Sequence, residues 1–218
     1  MQRPLIKYCG NKTYEDLQVV AESNADYIGF IFATSKRKVN PVDVKRWLQE
    51  IDLQDKQTVG IFVNANLEEI ETVLANVPLS VIQCHGSESV DFIKQLKKKT
   101  GTIVWKVIHH DEQALRTMEE FADVADGYVV DTKITNVWGG SGITFDWKSI
   151  PVYQQEANRQ GVPCFIAGGI GPENIENLLS YKIDGFDISS GIEYEGKKDH
   201  NIIQTIEKWV DKFEERTK

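Results

Sequence analysis

The feature that most constrains the fold of this chain is an alternation of short apolar runs with longer amphipathic stretches, repeated eight times. Each apolar run has the length and composition of a buried strand, and each amphipathic stretch has the period of a helix that covers a sheet. We predict strands at residues 5–10, 27–32, 58–63, 80–86, 103–108, 128–131, 164–169 and 186–191. Strict alternation of this kind requires parallel strands joined by helical crossovers.

Eight strand–helix units favour a closed barrel over an open sheet. Dividing 218 residues by 8 gives about 27 residues per unit, and (β/α)8 barrels begin at about 200 residues. An open doubly wound sheet is the alternative, but six or fewer units are typical of it. No linker, low-complexity tract or change of composition divides the chain. We therefore predict an α/β protein with a single (β/α)8 TIM barrel domain over residues 1–218.

Boundary signals accompany several of the predicted helices. Thr13 can cap the first helix, with Asp16 at the spacing of a capping box. Pro41 lies near the first position of the second helix, and Asp146 starts the helix after the sixth strand. Further helices are predicted to include residues 67–74, 92–96, 114–121, 172–179 and 202–213.

Charge and cysteine content exclude several classes of protein. The net charge of −8 argues against general nucleic-acid binding. No apolar run approaches the roughly 18 residues that span a bilayer, and the N-terminus has no signal-peptide pattern. Three scattered cysteines form neither a disulfide framework nor a metal-ligand cluster. We expect a cytoplasmic protein with no membrane or nucleic-acid partner and no bound metal.

Small and polar residues gather where the predicted strands end. In a barrel these carboxyl ends form the active face, so their convergence favours a functional site over ordinary turns. The strand ends are Cys9–Gly10, Ala33–Arg37, Asn64, Gln83–Gly86, Asp131–Thr132, Gly168–Gly169 and Ser189–Gly191.

Side chains two residues apart on a strand share a face. Lys7 and Cys9 therefore point the same way, as do Gln83 and His85. Cys84 points the opposite way, toward the helices, where a cysteine is most often a small buried apolar residue. Cys164 receives the same structural interpretation, whereas the strand-end position of Cys9 leaves a structural and a functional role equally open.

The sixth strand ends in a carboxylate, Asp131, which is followed by the glycine-rich run Gly139–Gly142. An acid at a strand's carboxyl end, with glycines that can approach an anion, is typical of an active-site edge. The alternative is a helix-capping aspartate followed by an ordinary turn. The long loop 133–144 also suggests a lid that closes over a substrate.

Seven motifs, in order and spacing, resemble the phosphoribosylanthranilate isomerase family of tryptophan biosynthesis from about residue 5 to residue 200. One departure is Asn11, where the family usually carries an apolar residue after Cys-Gly. The motifs are Lys7–Gly10, Ser35–Arg37, Gln83–Gly86, Asp131–Thr132, Gly139–Trp147, Ala167–Gly169 and Asp187–Glu193.

The resemblance implies an Amadori rearrangement of N-(5-phosphoribosyl)anthranilate. Asp131 resembles the family's general acid, which protonates the furanose oxygen, and Cys9 resembles the general base, which removes a proton from C2. The acid must hold a proton, which burial or a nearby anion can arrange. A free thiol has a pKa of about 8.5, so a lower pKa would help Cys9. We hypothesise that Lys7 supplies it; the alternative, that Lys7 is paired with Asp187, is favoured because buried charges are normally paired.

The resemblance also implies binding residues at both ends of the substrate. Arg37 resembles the residue that holds the anthranilate carboxylate, and the alternative is a solvated charge in the run Lys36–Lys38. Gln83 and His85 are expected to give supporting hydrogen bonds, although a non-catalytic histidine is the alternative. Backbone N–H groups are expected to bind the phosphate with help from a helix N-terminus. These phosphate-binding residues are Gly142, Gly168, Gly169, Ser190 and Gly191.

Several alternatives remain beside this hypothesis. His109, His110 and His200 show no ligand spacing, and we expect neither metal nor cofactor. The related aminoimidazole-carboxamide ribotide isomerase uses a carboxylate at the end of strand one, where this chain has Cys9. Indole-glycerol-phosphate synthase needs a lysine pair and an N-terminal extension. A non-catalytic phosphate-binding barrel, and a monomer or a homodimer, both remain open.

Overall fold

The computed structural model describes residues 3–132 and 146–217, and its strands form one closed parallel barrel in the order β1 to β8. β1 pairs with β2 on one side and with β8 on the other, so that Lys7 lies beside Tyr27 and Asp187. The strands are β1 Leu5–Tyr8, β2 Tyr27–Ile31, β3 Gln57–Phe62, β4 Val81–Cys84, β5 Ile103–His110, β6 Gly127–Thr132, β7 Cys164–Ala167 and β8 Gly185–Ile188. This arrangement confirms the predicted (β/α)8 TIM barrel.

Helices follow the strands around the outside of the barrel. Thr13 caps α1 as predicted, with its hydroxyl accepting a hydrogen bond from the N–H of Asp16. Pro41 opens α2, and Asp146 caps a 3₁₀ turn, Trp147–Ser149, that leads into α6. The helices are α1 Tyr14–Ala21, α2 Pro41–Glu50, α3 Leu67–Leu74, α4 Val90–Thr100, α5 Ala114–Glu120, α6 Ile150–Gln160, α7 Ile175–Leu179 and α8 His200–Thr217.

Several predicted boundaries are wrong. The first, fourth and seventh strands end two residues earlier than predicted, at Tyr8, Cys84 and Ala167. α7 begins at Ile175 and not at Pro172, because the side chain of Asn174 closes a turn between Gly169 and Gly171 through two hydrogen bonds. The predicted eighth strand ends early, and residues Ser190–Ile192 form a 3₁₀ turn. β5 instead runs two residues longer than predicted, to His110.

Side-chain alternation divides the core into two layers. One layer lies between the strands and the helices and contains Cys84 and Cys164. The other fills the barrel interior, where Trp105 and Phe165 pack against Tyr27. Cys9 belongs to the interior layer, as the strand parity predicts.

A short hairpin follows β8 at the carboxyl end of the barrel. Its strands are β9, Glu193–Tyr194, and β10, Lys197–Lys198, which pair antiparallel with Lys198 opposite Glu193. Both turn residues, Glu195 and Gly196, have positive φ, the signature of a two-residue type I′ turn. In residues 3–132 and 146–217, no helix is long and apolar enough to cross a membrane.

Candidate active site

A pocket opens at the carboxyl ends of the strands, and the ends of seven of the eight barrel strands contribute to its described lining. It brings together most of the site residues that the sequence predicts. Those that line it are Cys9, Arg37, Gln83, His85, Asp131, Gly168, Gly169, Ser190 and Gly191. Gly142 and the predicted lid, residues 133–144, lie outside the described residues, so their predicted roles stay predictions.

Cys9 lies just beyond β1 on the inner wall of this pocket. Its N–H donates to the carbonyl of Ile188, so the strand geometry of β1 continues through it. Gly29 on β2 makes room for the thiol, because a Cβ at Gly29 would come within 2.7 Å of the sulfur. The buried Lys7 lies one layer below, with its Nζ 2.6 Å from Asp187 Oδ2. The predicted pairing of Lys7 with Asp187 is therefore correct.

The environment of Cys9 shifts its ionisation in two directions. Burial raises the pKa of the thiol, and the charges of Lys7 and Lys198 act to lower it without cancelling the effect of burial. For Lys7, burial acts to lower the pKa, but Asp187 and Cys9 outweigh it and raise the pKa. Lys7 thus stays a cation and favours the thiolate, yet the unliganded site holds Cys9 as a thiol. Lys7 acts to lower the pKa of Cys9, in the direction that the hypothesis gives, but burial is the larger effect and the pKa of the thiol is raised overall.

Asp131 is buried near the end of β6 and faces two histidines. His85 Nε2 lies 3.5 Å from Asp131 Oδ2, across the pocket wall from β4. His109 is the register partner of Asp131 on β5, and its ring centroid lies 5.4 Å from that of His85. Burial, followed by the neighbouring His85, lowers the pKa of His109 and favours its neutral form. The alternative of a helix-capping aspartate at Asp131 is therefore wrong.

Arg37 is buried, although Lys36 and Lys38 on either side of it are exposed. Its Nε and Nη2 donate to the two carboxylate oxygens of Glu193, at 2.7 and 2.8 Å. The alternative of a solvated charge at Arg37 is therefore wrong. A bidentate carboxylate uses two of the five guanidinium N–H groups and leaves three for another partner.

Glycine-rich segments after β7 and β8 form the opposite rim of the pocket. Gly168 and Gly169 have φ of 90° and 62°, in the left-handed region that favours glycine. A Cβ at Gly191 would clash with the carbonyl of Ile170, so the two loops can approach this closely only with glycine there. The N–H groups of Ser190 and Gly191 lie at the start of a 3₁₀ turn, where they have no acceptor within the turn. At this rim, the helix N-terminus that is expected to help bind the phosphate is only a three-residue 3₁₀ turn.

Sequence reasoning missed several polar groups in and around the pocket. Asp187 and Ser189 line it, whereas the sequence predicts Asp187 only as a partner of Lys7 and Ser189 only as part of a strand end. Asp187 Oδ1, Ser189 Oγ and Gln83 Oε1 are buried and have no hydrogen-bond partner among residues 3–132 and 146–217. Buried polar atoms are normally satisfied, so these three are available to a polar ligand in the pocket. Lys7 and Asp187 are register partners on neighbouring strands, which places Asp187 at the pocket beside Cys9.

Asn11 explains the one departure from the family pattern. It is fully buried, and its amide donates to the carbonyls of Tyr8 and Gly29 at 3.0 and 3.1 Å. Tyr8 ends β1 and Gly29 is the middle residue of β2, so Asn11 fixes the first loop to both strands beside the pocket. The position of His109 beside Asp131 was not predicted, because in the sequence His109 is considered only as a possible metal ligand. In the part of the chain that the structure describes, no group of three metal-ligating side chains is placed to hold an ion.

The arrangement combines three kinds of surface that bind a large anionic molecule. Ile31, Ile61 and Val63 give an apolar wall, Arg37 lies at one side, and the glycine-rich loops lie at another. The carboxyl group of Asp131 and the thiol of Cys9 face the space between them. The pocket can therefore hold an aromatic group and an anion at separate ends while moving protons between them.

Comparisons with known proteins agree with this geometry. A family model for N-(5′-phosphoribosyl)anthranilate isomerase matches residues 6–209. An isomerase of that name from Geobacillus thermodenitrificans is 55% identical over 202 residues, covering 93% of this chain and 91% of its own. The crystal structure of phosphoribosyl anthranilate isomerase from Thermotoga maritima has a TM-score of 0.82 and 29% identity, covering 96% and 99%. A second solved structure of the enzyme, bound to reduced 1-(o-carboxyphenylamino)-1-deoxyribulose 5-phosphate, has a TM-score of 0.80 and 28% identity, covering 96% and 99%.

Proposed function

This chain belongs to the N-(5′-phosphoribosyl)anthranilate isomerase family and is an aldose–ketose isomerase of tryptophan biosynthesis, and we propose that Asp131 and Cys9 are its acid and base. The reaction converts phosphoribosylanthranilate to 1-(2-carboxyphenylamino)-1-deoxyribulose 5-phosphate by an Amadori rearrangement. The observation that carries the residue roles is that Cys9 and Asp131 line one pocket, on β1 and β6, three strands apart around the barrel.

Asp131 opens the furanose ring. It donates its proton to the ring oxygen as the C1–O bond breaks, and the anthranilate nitrogen forms a double bond to C1. The product of this step is an open-chain iminium cation beside an aspartate anion. Because His85 Nε2 lies 3.5 Å from Asp131, it is placed to support the carboxyl group in either state.

Cys9 then removes the proton from C2. The electrons of the C2–H bond form a C1–C2 double bond, and those of the iminium return to nitrogen, which gives an enol. The C2 hydroxyl of this enol then loses its proton and C1 gains one, which gives the ketone. Burial raises the pKa of Cys9 in the free site, whereas Lys7 acts in the opposite direction. The iminium cation adds a further positive charge to those of Lys7 and Lys198 and favours loss of the thiol proton to water, so that the sulfur is a thiolate when it accepts the proton of C2.

The two ends of the substrate need separate anchors. Arg37 keeps three N–H groups after its contacts with Glu193, and we propose that these bind the anthranilate carboxylate. The phosphate would accept hydrogen bonds from backbone N–H groups of Gly168, Gly169, Ser190 and Gly191. Gln83, whose Oε1 has no partner among the described residues, would bind a sugar hydroxyl.

The domain organisation, location, cofactor requirement and oligomeric state of the enzyme are also proposals. We propose that residues 1–218 act as one domain on a small-molecule substrate in the cytoplasm, with no cofactor, because proton transfers alone complete the reaction. A monomer or a homodimer would both leave the described pocket complete within one chain. Light scattering after size-exclusion chromatography distinguishes these two states.

Fluorescence of the anthranilate ring during incubation with fresh phosphoribosylanthranilate tests the assignments. We expect wild type to consume substrate faster than spontaneous hydrolysis, and Cys9→Ala and Asp131→Asn to lose about 10³-fold or more in kcat. Cys84→Ala is the matched control, because this cysteine faces away from the pocket. Tight binding of a product analogue without turnover by wild type would instead indicate a non-catalytic phosphate-binding barrel.

A further inference from the structure

The hairpin Glu193–Lys198 is fixed to the body of the protein on both sides. The carboxylate of Asp16, at the start of α1, accepts hydrogen bonds from the backbone N–H groups of Lys12 and Lys198. The Asp16 carboxylate thus accepts from the backbone N–H of Lys12 and not from that of Thr13. A capping box requires the Thr13 N–H as donor, so the predicted capping box is wrong. The N–H of Asp199 donates to the carbonyl of Ile192. The hairpin therefore holds a defined position beside the carboxyl ends of β1 and β8.

The side chain of Lys198 is fully buried between the hairpin and the ends of β1 and β8, and its ammonium group has a full set of acceptors. Its Nζ donates to the carbonyls of Cys9 and Ser189 at 2.7 and 2.9 Å, and to Glu193 Oε1 at 3.1 Å. An ammonium group has three N–H donors, so all three are used. Lys198 ties the backbone of the proposed base to the start of the proposed phosphate loop.

Glu193 connects this lysine to Arg37. Its Oε1 accepts from both Lys198 and Arg37 Nε, and its Oε2 accepts from Arg37 Nη2. Burial acts to raise the pKa of Glu193, but hydrogen bonds and charge from Arg37 and Lys198 outweigh it and lower the pKa to about 2. Glu193 is therefore a carboxylate at neutral pH, held between two cations.

The aliphatic part of Arg37 is confined as well. A Cβ at Gly10, which has φ of 75°, would come within 2.5 Å of Arg37 Cδ and 2.8 Å of Ser189 Oγ. The arginine side chain thus crosses the main chain at Gly10, directly after Cys9. Its guanidinium is fixed by Glu193 at the edge formed by Nε and Nη2, which leaves the end-on edge formed by Nη1 and Nη2 for another partner.

We propose that Glu193 and Lys198 are positioning residues, which orient the free edge of the Arg37 guanidinium toward the substrate carboxylate and hold it in register with Cys9. This inference rests on the proposed function, since it assigns the carboxylate to Arg37. The pair acts through Arg37 and through the Cys9 carbonyl, and it does not touch the reacting atoms. An arginine without Glu193 would sample other rotamers and lose the preorganised edge.

A pair of ligands that differ in one carboxylate tests this role. The reduced product analogue carries a 2-carboxyphenyl group, and its phenyl counterpart lacks the carboxylate. We expect Glu193→Gln to weaken the carboxyphenyl analogue about tenfold and the phenyl analogue less than twofold, because only the first uses Arg37. Arg37→Ala should weaken the first similarly, and adding Glu193→Gln to Arg37→Ala should have no further effect on the preference.

Glu195→Gln is the matched control, because it removes the same charge from the exposed turn of the same hairpin. It should leave both affinities unchanged. If Glu193→Gln does not fold, Glu193→Asp keeps the charge but withdraws the carboxylate by one methylene, and it should also reduce the preference.

The two possible failures give different results. Wild type that does not turn over phosphoribosylanthranilate would overturn the proposed function. Normal turnover by wild type, together with a Glu193→Gln variant that weakens both analogues by the same factor, or weakens neither, and so keeps the full preference for the carboxylate, would overturn the positioning role alone.

Discussion

Two buried lysine–glutamate pairs flank the mouth of the barrel, Lys106–Glu88 beside β4 and β5 and Lys198–Glu193 beside β8 and β1. In the first pair, the other hydrogen-bond partners of both side chains are main-chain groups. Lys106 Nζ donates to the carbonyl of Gly86 at 2.6 Å and to Glu88 at 3.0 Å, and Glu88 accepts from the N–H groups of Asn64 and Gly86. Neither side chain lines the described pocket.

The second pair joins the same two residue types, but its glutamate is bonded to another side chain. Lys198 also donates to main-chain carbonyls, yet Glu193 passes the network on to the guanidinium of Arg37, which does line the pocket. A buried ion pair is weak evidence of net stabilisation, although removing one partner costs about 3–5 kcal/mol. The comparison shows that the role of a buried ion pair depends on which further groups the pair is bonded to, and not on its charge or burial.

The largest difference between the pairs is expected in catalysis. Lys198→Met should lower kcat/KM about 100-fold, because the Cys9 carbonyl and Glu193 both lose the cation that fixes them. Lys106→Met should change kcat/KM less than threefold, although it leaves Glu88 buried and unpaired. Steady-state kinetics on variants shown to be folded by circular dichroism measure this, with Lys197→Met as the exposed control. Equal losses in both variants would remove the distinction.

A glycine beside each network tests geometry without changing charge. Gly10→Ala should raise KM about tenfold, because the new methyl group displaces Arg37 and Ser189 and the φ of 75° is strained for alanine. Gly86→Ala meets the side chain and backbone of Asn64, and it should lower thermal stability while changing KM less than twofold. A Gly10→Ala variant with normal KM would show that the position of Arg37 tolerates displacement.

A third buried lysine, Lys7, sharpens the comparison because it faces the barrel interior. Lys7→Met should move the titration of Cys9 to higher pH, since the charge of Lys7 acts to lower the pKa of this thiol. Asp187 also faces Cys9 and raises its pKa, so Lys7→Met with Asp187→Asn should show a smaller shift than Lys7→Met alone.

Ultraviolet absorbance of the thiolate during a pH titration measures this shift. Cys84 and Cys164 do not interfere at moderate pH, because burial raises the pKa of Cys84 to about 12 and that of Cys164 well above its ordinary value. Lys106→Met is the control and should leave Cys9 unchanged. An unaltered Cys9 titration in Lys7→Met would contradict the influence assigned to Lys7.

The fold and most of the pocket could be predicted because local patterns decide them. Apolar runs alternating with amphipathic stretches require crossovers, and closure then brings strand ends together, so Cys9 and Asp131 could be placed at one mouth. Strand parity also separated Cys9 from Cys84. These inferences need only the periodicity of the backbone and the topology of parallel strands.

The supporting network could not be predicted, because its residues resemble surface residues in the sequence. Glu193 and Lys198 lie in a charged stretch with a glycine, which is typical of an exposed turn. They are buried only because the hairpin folds back onto β1 and α1, a contact between residues about 180 positions apart. The raised pKa of Cys9 was missed for the same reason, since burial depends on tertiary packing.

The smallest expected effect separates the charge of Glu193 from the shape of its network. Its pKa is about 2 in the folded protein and near 4.5 when unfolded, so the ionised form contributes stability that is fully present above pH 4.5. That contribution decreases as the pH falls from 4.5 and is lost through pH 2. The free energy of unfolding of wild type should therefore exceed that of Glu193→Gln by a constant amount above pH 5 and by a shrinking amount below it.

Urea unfolding at several pH values measures the difference, and Glu195→Gln should track wild type throughout. A difference as large at pH 3 as at pH 7 would mean that the contribution of Glu193 comes from hydrogen-bond geometry and not from its charge.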